Sequence, residues 1–171
     1  MREQMNNVVH APEVATINAQ ESLRIHFNST CGQHRMRQDM RMNAISSLSN
    51  ADAAVNIAVR DIARASDFYG GLLGLTETGR QGEQLVSYRS GSSLLFVYKS
   101  EYAGTNKATA MSWLVGADVD AIAHTLKAKG IGFEHYDMPG MQLEGDVHVG
   151  HHMRVAWFKD PDGNILSLVS G

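Results

Sequence analysis

Several histidines crowd into one short segment of this sequence, where their spacing suggests metal chemistry. The stretch "GDVHVGHHMR" contains His148, His151 and His152, and His135 and Asp137 precede it. Imidazole nitrogen is a common ligand of zinc and nickel, so such a cluster could hold a divalent ion. The glycines of the segment would hold these side chains loosely, however, and solvated or gating loop histidines are the interpretation that we favour. His148, His151 and His152 remain the alternative metal ligands.

Two other reactive residue types give weaker signals. Ser167 stands in "ILSLVS" without the Gly-x-Ser-x-Gly elbow of a nucleophilic serine, and the sequence identifies no histidine partner for it. Cys31 and His34 in "CGQH" have a spacing compatible with metal, but one pair of ligands without a second pair is a weak signal. The simpler interpretation of Ser167 is a strand residue with a local hydrogen bond. The simpler interpretation of "CGQH" is a solvated segment.

Composition narrows the classes of protein. The 171 residues are 43% hydrophobic, enough for one domain with a buried core. The formal net charge is -3 and Lys and Arg do not cluster with aromatic residues, so we expect no nucleic-acid partner. A single cysteine excludes an intramolecular disulfide framework, and no apolar run approaches the roughly 20 residues of a membrane span. Since "MREQMNNVVHAPEVATINAQ" lacks a signal-peptide pattern, we expect a cytoplasmic protein with no membrane partner.

The elements that must position these residues follow a polar stretch. Residues 1–50 are rich in Asn, Gln, Ser and Met and predict a poorly ordered extension. A biological start at Met40 or Met42 is an alternative that we leave open. Clear periodicity begins just afterwards, so a single domain is expected over residues 51–171.

The first half of this domain, residues 53–100, predicts a strand, a helix and three further strands. "AVNIAVRD" alternates larger apolar residues with smaller or polar ones, as a strand with two unlike faces does. "IARASDFYGGLLG" has apolar residues at helical spacing, between Asp61 as a plausible N-cap and Gly74 as a plausible C-cap. "LTETGRQ", "QLVSYRS" and "SLLFVYKS" then read as strands.

The second half, residues 108–171, repeats the order with "MSWLVGAD", "VDAIAHTLKAKG", "IGFEHY", "RVAWFK" and "NILSLVS". It differs by a long insertion, "DMPGMQLEGDVHVGHH", which predicts a flexible flap at the mouth of a cleft. Two tandem βαβββ modules predict an α+β fold, in which eight strands form an open, half-barrel sheet with helices on its outer face.

The motifs "RDIARASDFYGGLLGL" and "AWFKDPDGNILSL", together with the repeated βαβββ unit, resemble the vicinal oxygen chelate superfamily of glyoxalase I, bleomycin-resistance proteins and extradiol dioxygenases. The resemblance covers residues 53–171. It implies a cleft in which metal enzymes hold a divalent ion through histidines on first strands and glutamates on last strands. One fold hosts many functions, so the resemblance says little about chemistry.

Counting from the family motifs places these ligand positions in this sequence. The histidine position lies seven residues before each helix-opening Asp, and the glutamate position lies three residues after the Asn of "DPDGN" or of its first-module counterpart. The four positions are Ala54, Leu95, Met111 and Ser167. Three are apolar and the fourth is a neutral hydroxyl, so we expect no cofactor and in particular no metal at this site.

Strand alternation extends these positions into a predicted cleft lining. If the hairpin loops have even lengths, the cleft is lined by Asn56, Ala58, Tyr88, Leu95, Met111, Trp113, Phe158 and Ser167. The opposite set, predicted to pack under the helices, is Val55, Ile57, Leu94, Phe96, Leu166 and Leu168. A lining with three aromatic residues suits a flat or hydrophobic ligand.

The predicted function is therefore the metal-free binding of a small, largely hydrophobic or aromatic organic molecule, as in the bleomycin-resistance branch, by a protein that forms a homodimer. The first alternative is a metal-dependent lyase or dioxygenase that uses displaced ligands such as His148, His151 and His152. A metal-free enzyme using Tyr88 or Asn56, and a pure interaction module, are further alternatives.

Overall fold

The structure is a computed structural model that describes residues 48–171. Nearly all of the predicted extension, and the Cys31 and His34 pair with it, lies outside the described residues. The strands are β1 (Ala54–Val59), β2 (Thr76–Gln81), β3 (Leu85–Ser90), β4 (Ser93–Lys99), β5 (Thr109–Leu114), β6 (Phe133–Glu134), β7 (Gln142–Glu144), β8 (Val147–Gly150), β9 (Met153–Lys159) and β10 (Ile165–Val169). The helices are α1 (Ile62–Ser66), which continues as a π-helical segment over Asp67–Leu72, and α2 (Val119–Ala128).

The strands form two mixed sheets that do not close into a barrel. The first has the order β1-β4-β3-β2, and the second has the order β5-β10-β9-β8-β7 with β6 also paired to β9. In each sheet the strand before the helix pairs in parallel with the last strand of its module, β1 with β4 and β5 with β10. The helix carries the chain across, as a parallel pair requires. The predicted α+β fold of two βαβββ units is confirmed.

The helix boundaries follow their capping residues. The side chain of Asp61 accepts a hydrogen bond from the Arg64 backbone N–H at 3.1 Å and begins α1, as predicted. Gly74 has φ of +73° and directs the chain out of the π-helical segment. Gly130, with φ of +91°, has the same role after α2.

The insertion is where the strand count departs from the prediction. Its "QLEGDVHV" segment folds into the β7–β8 hairpin around Gly145, and β8 pairs with β9, so ten strands are described and not eight. Two ion pairs connect the hairpin to neighbouring elements: Lys127 on α2 lies 2.6 Å from Asp146, and Arg154 on β9 lies 3.1 Å from Glu144. The glycine between Glu144 and Asp146 was a sequence signal for a turn, but the flanking strands are too short for their periodicity to identify them.

The ion pair of Asp146 makes the hairpin sensitive to acid. Its hydrogen bond to Lys127, aided by His135 at 3.1 Å, holds the pKa of the Asp146 carboxyl below its ordinary value. A lowered folded-state pKa contributes stability above the unfolded value of about 3.9, and this stability is lost as pH falls through the folded value. Because Lys127 is largely exposed, we expect a contribution below about 1 kcal/mol.

Urea unfolding should therefore show that Asp146→Asn loses less stability than the parent between pH 6 and pH 2.5. An equal loss in the two proteins would contradict the role assigned to Asp146.

Each sheet packs one face into a shared hydrophobic core. The first sheet contributes Ile57 and Val97 to this core, and the second sheet contributes Phe158 and Leu166. All four side chains are essentially buried. Helix residues that join them are Ile62, Ala65, Phe68, Tyr69, Val119, Ala123 and Leu126. The opposite face of each sheet, called its open face below, is where a ligand has access to side chains.

Candidate functional site

The eight predicted cleft residues do not share one face. Three of them, Asn56, Ala58 and Ser167, lie on open faces, the first two on the first sheet and Ser167 on the second. The other five lie on core faces: Tyr88, Leu95, Met111, Trp113 and Phe158. The prediction that these eight residues line one face is therefore wrong, and the cause of the error differs between the two sheets.

In the first sheet the error comes from matching two turns of unlike length. The β3–β4 turn has two residues, since Ser90 pairs with Ser93, whereas the β9–β10 turn has five, since Lys159 pairs with Ile165. Counting the same number of residues after each turn therefore places the β4 position one residue away from its true equivalent, on the opposite face of the strand. Leu95 lies beside Val55 on the core face. The prediction that Leu94 and Phe96 pack under the helices is wrong for the same reason.

In the second sheet the five-residue turn and a β-bulge move the aromatic residues. Because the turn is odd in length, Ser167 pairs with Trp157 and not with Phe158. In β5 the register shifts so that Met111 pairs with Leu166 and Ser112 with Ser167. Trp157, Ser112 and Thr109 are thus among the open-face residues that sequence reasoning missed. The odd number of residues in "DPDGN" was the available signal for Trp157.

The five core-face residues have packing roles. The ring of Trp113 stacks on Phe158 with a centroid distance of 6.1 Å, and its indole N–H donates to Ser90 Oγ at 2.9 Å. Tyr88 is buried against Tyr69, and within residues 48–171 its hydroxyl has no hydrogen-bond partner. None of these side chains lies on the face that remains open to a ligand.

Four side chains form a compact group on the open face of the second sheet: Thr109, Ser112, Trp157 and Ser167. We call this group the hydroxyl–indole patch. Ser167 donates its hydroxyl hydrogen to Ser112 Oγ at 2.8 Å, and the Trp157 indole N–H donates to Thr109 Oγ1 at 3.2 Å. Ser167 is buried, Thr109 and Ser112 are exposed, and Trp157 is half-buried. The patch therefore combines an accessible aromatic surface with two exposed hydroxyls.

Aromatic and imidazole rings support one side of the patch. His148, on β8, is buried with its ring centroid 5.0 Å from that of Trp157. Its Nε2 accepts a hydrogen bond from the Tyr136 backbone N–H at 2.9 Å, and the Tyr136 ring lies 5.4 Å from Trp157. These contacts hold the indole against its side of the sheet.

The residues present do not fit the divalent metal that the family resemblance implies. At the carboxylate position of the second sheet stands Ser167, whose neighbour is a second hydroxyl, Ser112. A neutral hydroxyl pair is a poor ligand set for such an ion. On the first sheet the histidine position is Ala54, which has no donor atom in its side chain.

The three alternative histidine ligands are not brought together either. His148 is buried and its Nε2 is engaged by the Tyr136 backbone, while His151 and His152 form an exposed turn with φ of 50° and 61°. Across residues 48–171, no group of three or more His, Cys, Asp or Glu side chains is placed to hold a metal ion. Within the described residues, His148, His151 and His152 therefore do not form a three-ligand group.

A hollow of about 400 Å³ lies elsewhere, lined by Arg60, Lys99, Ser100 and Glu101. It includes none of the predicted site residues. The guanidinium of Arg60 is already bound, to Asp162 at 3.3 Å and to a backbone carbonyl. With both charge signs present and its main donor engaged, this hollow is a weaker candidate than the hydroxyl–indole patch.

Comparison with known proteins places the chain in a family. The family model described as Glyoxalase/Bleomycin resistance protein/Dioxygenase superfamily matches residues 53–168. No curated protein matches the sequence at a significant level. Within residues 48–171, no helix has the length and apolar character needed to cross a membrane.

Solved structures share the fold at low sequence identity. Lactoylglutathione lyase from Agrobacterium tumefaciens is 18% identical with a TM-score of 0.52, covering 70% of this chain and 92% of that one. The fosfomycin resistance protein FosX from Listeria monocytogenes is 14% identical with a TM-score of 0.55, covering 71% and 91%. A glyoxalase family protein from Enterococcus faecalis is 17% identical with a TM-score of 0.55, covering 72% and 99%. The family match and the shared fold together show that this chain belongs to the Glyoxalase/Bleomycin resistance protein/Dioxygenase superfamily.

Proposed function

We propose that this domain binds a small, flat, largely hydrophobic or aromatic organic molecule at the hydroxyl–indole patch, without the divalent metal of the family's metal enzymes. The observation that carries the proposal is Ser167. It occupies the carboxylate position, and its hydroxyl is directed to Ser112 beside the indole of Trp157. Where a metal enzyme would present a charged ligand, this chain presents a neutral, partly aromatic surface.

The chemistry of the patch favours binding over hydrolysis or group transfer. Ser167 is buried and donates to another hydroxyl, so no base activates it as a nucleophile. Trp157 is half-buried, and its indole face offers apolar contact and stacking to a planar ring. Such contacts suit sequestration or sensing of an organic molecule, which is the function that we propose.

A fluorescent or NMR titration with naphthalene tests the binding site. The two tryptophans give two indole N–H signals in a ¹H–¹⁵N spectrum. We expect naphthalene to shift the Trp157 signal and leave that of Trp113 in place. Trp157→Ala should weaken binding by about tenfold, since losing one stacking partner costs about 1.4 kcal/mol.

Trp113→Phe is the matched control, because it alters a core tryptophan while the patch stays intact. Its affinity for naphthalene should equal that of the parent once circular dichroism shows that both variants are folded. Equal weakening by the two variants, or no binding to the parent, would sink the proposal.

Elemental analysis of the purified, tag-free protein tests the metal-free part independently. We expect much less than one equivalent of metal per chain, and no thermal stabilisation by nickel, zinc, manganese or iron. The alternative, a metal-dependent lyase or dioxygenase, requires near-stoichiometric metal that is lost on substitution of His148, His151 or His152. The homodimer and the cytoplasmic location remain predictions from the sequence.

A further inference from the structure

We infer that the ligand of the hydroxyl–indole patch is an uncharged planar molecule that carries hydrogen-bond acceptor oxygens of the carbonyl type. This inference rests on the proposed function and concerns the chemical class of the ligand. It follows from which hydrogens of the patch are already used and which remain available.

The first available hydrogen belongs to Thr109. An indole N–H is a donor only, so in its contact with Trp157 the Thr109 oxygen must accept. The hydroxyl hydrogen of Thr109 is therefore not used in this contact. Because Thr109 is exposed, that hydrogen is accessible to a ligand lying against the indole.

The second available hydrogen belongs to Ser112. Burying a hydroxyl without a partner is costly, so the buried Ser167 is the donor of the pair and the exposed Ser112 the acceptor. The hydrogen of Ser112 then remains available on the open face. Ser112 is thus a second donor beside Trp157.

The β-bulge in β5 is what brings both hydroxyls to one face. Thr109 pairs with Ile165 and Ser112 with Ser167, so residues three apart on β5 lie beside residues two apart on β10. The two donors are therefore separated by about 7 Å along the strand direction. A regular strand would place one of them in the core.

The cation two residues after Trp157 on the same strand already has a partner, which argues against its pairing with an anionic ligand. Lys159 lies beside Ile165 and is paired with Glu134 at 2.7 Å. The hydrogen bond that Lys159 donates to Glu134 raises the pKa of Lys159, which keeps the ammonium charged and neutralised by its partner. Two hydroxyl donors and an indole face complement acceptor oxygens on a flat, neutral ring.

The test compares three flat probes of similar size by titration of the Trp157 indole signal. They are 1,4-diacetylbenzene with two carbonyl acceptors, 1,4-diisopropylbenzene with none, and the dication of 1,4-bis(aminomethyl)benzene. We expect the diketone to bind about three- to tenfold more tightly than the hydrocarbon for each hydroxyl engaged, and the dication least of all.

Four variants connect the preference to the two hydroxyls. Thr109→Val and Ser112→Ala should each reduce affinity for the diketone while leaving that for the hydrocarbon unchanged. The conservative variants Thr109→Ser and Ser112→Thr retain a hydroxyl and should preserve the preference. A loss of affinity for both probes alike would indicate a structural effect and overturn the assignment.

The outcomes separate this inference from the proposed function. Equal binding of diketone and hydrocarbon, both dependent on Trp157, would leave the proposed function standing and overturn the inferred ligand class. Tighter binding of the dication would also overturn it. If neither flat neutral probe shifts the Trp157 signal, the proposed function itself fails.

Discussion

Asp160→Ala should cost about 3–5 kcal/mol of unfolding free energy, because it removes the acceptor for four hydrogen bonds at a buried position. Asp160 is essentially buried. Its Oδ2 accepts from the Tyr69 hydroxyl at 2.9 Å and from the Asn164 amide at 2.7 Å. Its Oδ1 accepts from the backbone N–H of Asp162 at 2.9 Å and of Asn164 at 2.8 Å. Alanine would leave these donors unpaired in the interior.

The Tyr69 hydroxyl remains a donor under all ordinary conditions. Burial, reinforced by the neighbouring Asp160, raises the pKa of Tyr69 far above its ordinary value. Tyr69→Phe removes one of the four donors and should cost only about 1–2 kcal/mol. Chemical denaturation of both variants measures the difference.

Asp118→Ala provides the matched control, since Asp118 is exposed and its side chain does not cap α2. Its effect should lie within about 0.5 kcal/mol. A loss below about 1 kcal/mol for Asp160→Ala would contradict a stabilising role for its four hydrogen bonds.

Gly104→Ala should cost about 3–4 kcal/mol for two reasons that add. Gly104 has φ of +68°, a left-handed conformation that costs an L-residue about 1–2 kcal/mol. A Cβ atom there would also collide with the backbone carbonyl oxygen of Asp162. Because the obstacle is backbone and not a flexible side chain, relief requires the backbone at Gly104 or at Asp162 to shift.

Gly91→Ala separates these two contributions. Gly91 has a similar φ of +58°, but a Cβ atom there would meet no atom of the described chain within 4 Å. It should therefore lose only the conformational part, about 1–2 kcal/mol. Thermal or urea unfolding of the pair should differ by about 2 kcal/mol, and equal losses would contradict a steric origin at Gly104.

The sequence predicted the fold more reliably than the site for a physical reason. Helix positions depend on local signals, such as the Asp61 cap and the glycine after each helix, and these act within a few residues. Which face a strand residue occupies depends on the parity of every turn and bulge before it. One odd turn and one bulge were enough to exchange Phe158 for Trp157 and Met111 for Ser112.

The insertion shows the opposite limit. Its strands have only three and four residues, and the turn between them is held by an ion pair from Asp146 to Lys127 on α2, 19 positions earlier. Periodicity over so short a stretch cannot distinguish a loop from a hairpin edge. The same holds for His148, whose burial depends on Tyr136 crossing above it.

The hydrogen bonds of Asp160 also bear on how the chain is synthesised. The Tyr69 hydroxyl donates to Asp160, 91 positions later. The side-chain amide of Asn164, which also donates to Asp160, donates to the carbonyl of Ala58, 106 positions earlier. On the ribosome, the first module therefore emerges with a buried tyrosine hydroxyl that has not yet met its acceptor. These hydrogen bonds form only after Asp160 and Asn164 have left the exit tunnel, so the two modules are expected to mature together rather than in succession.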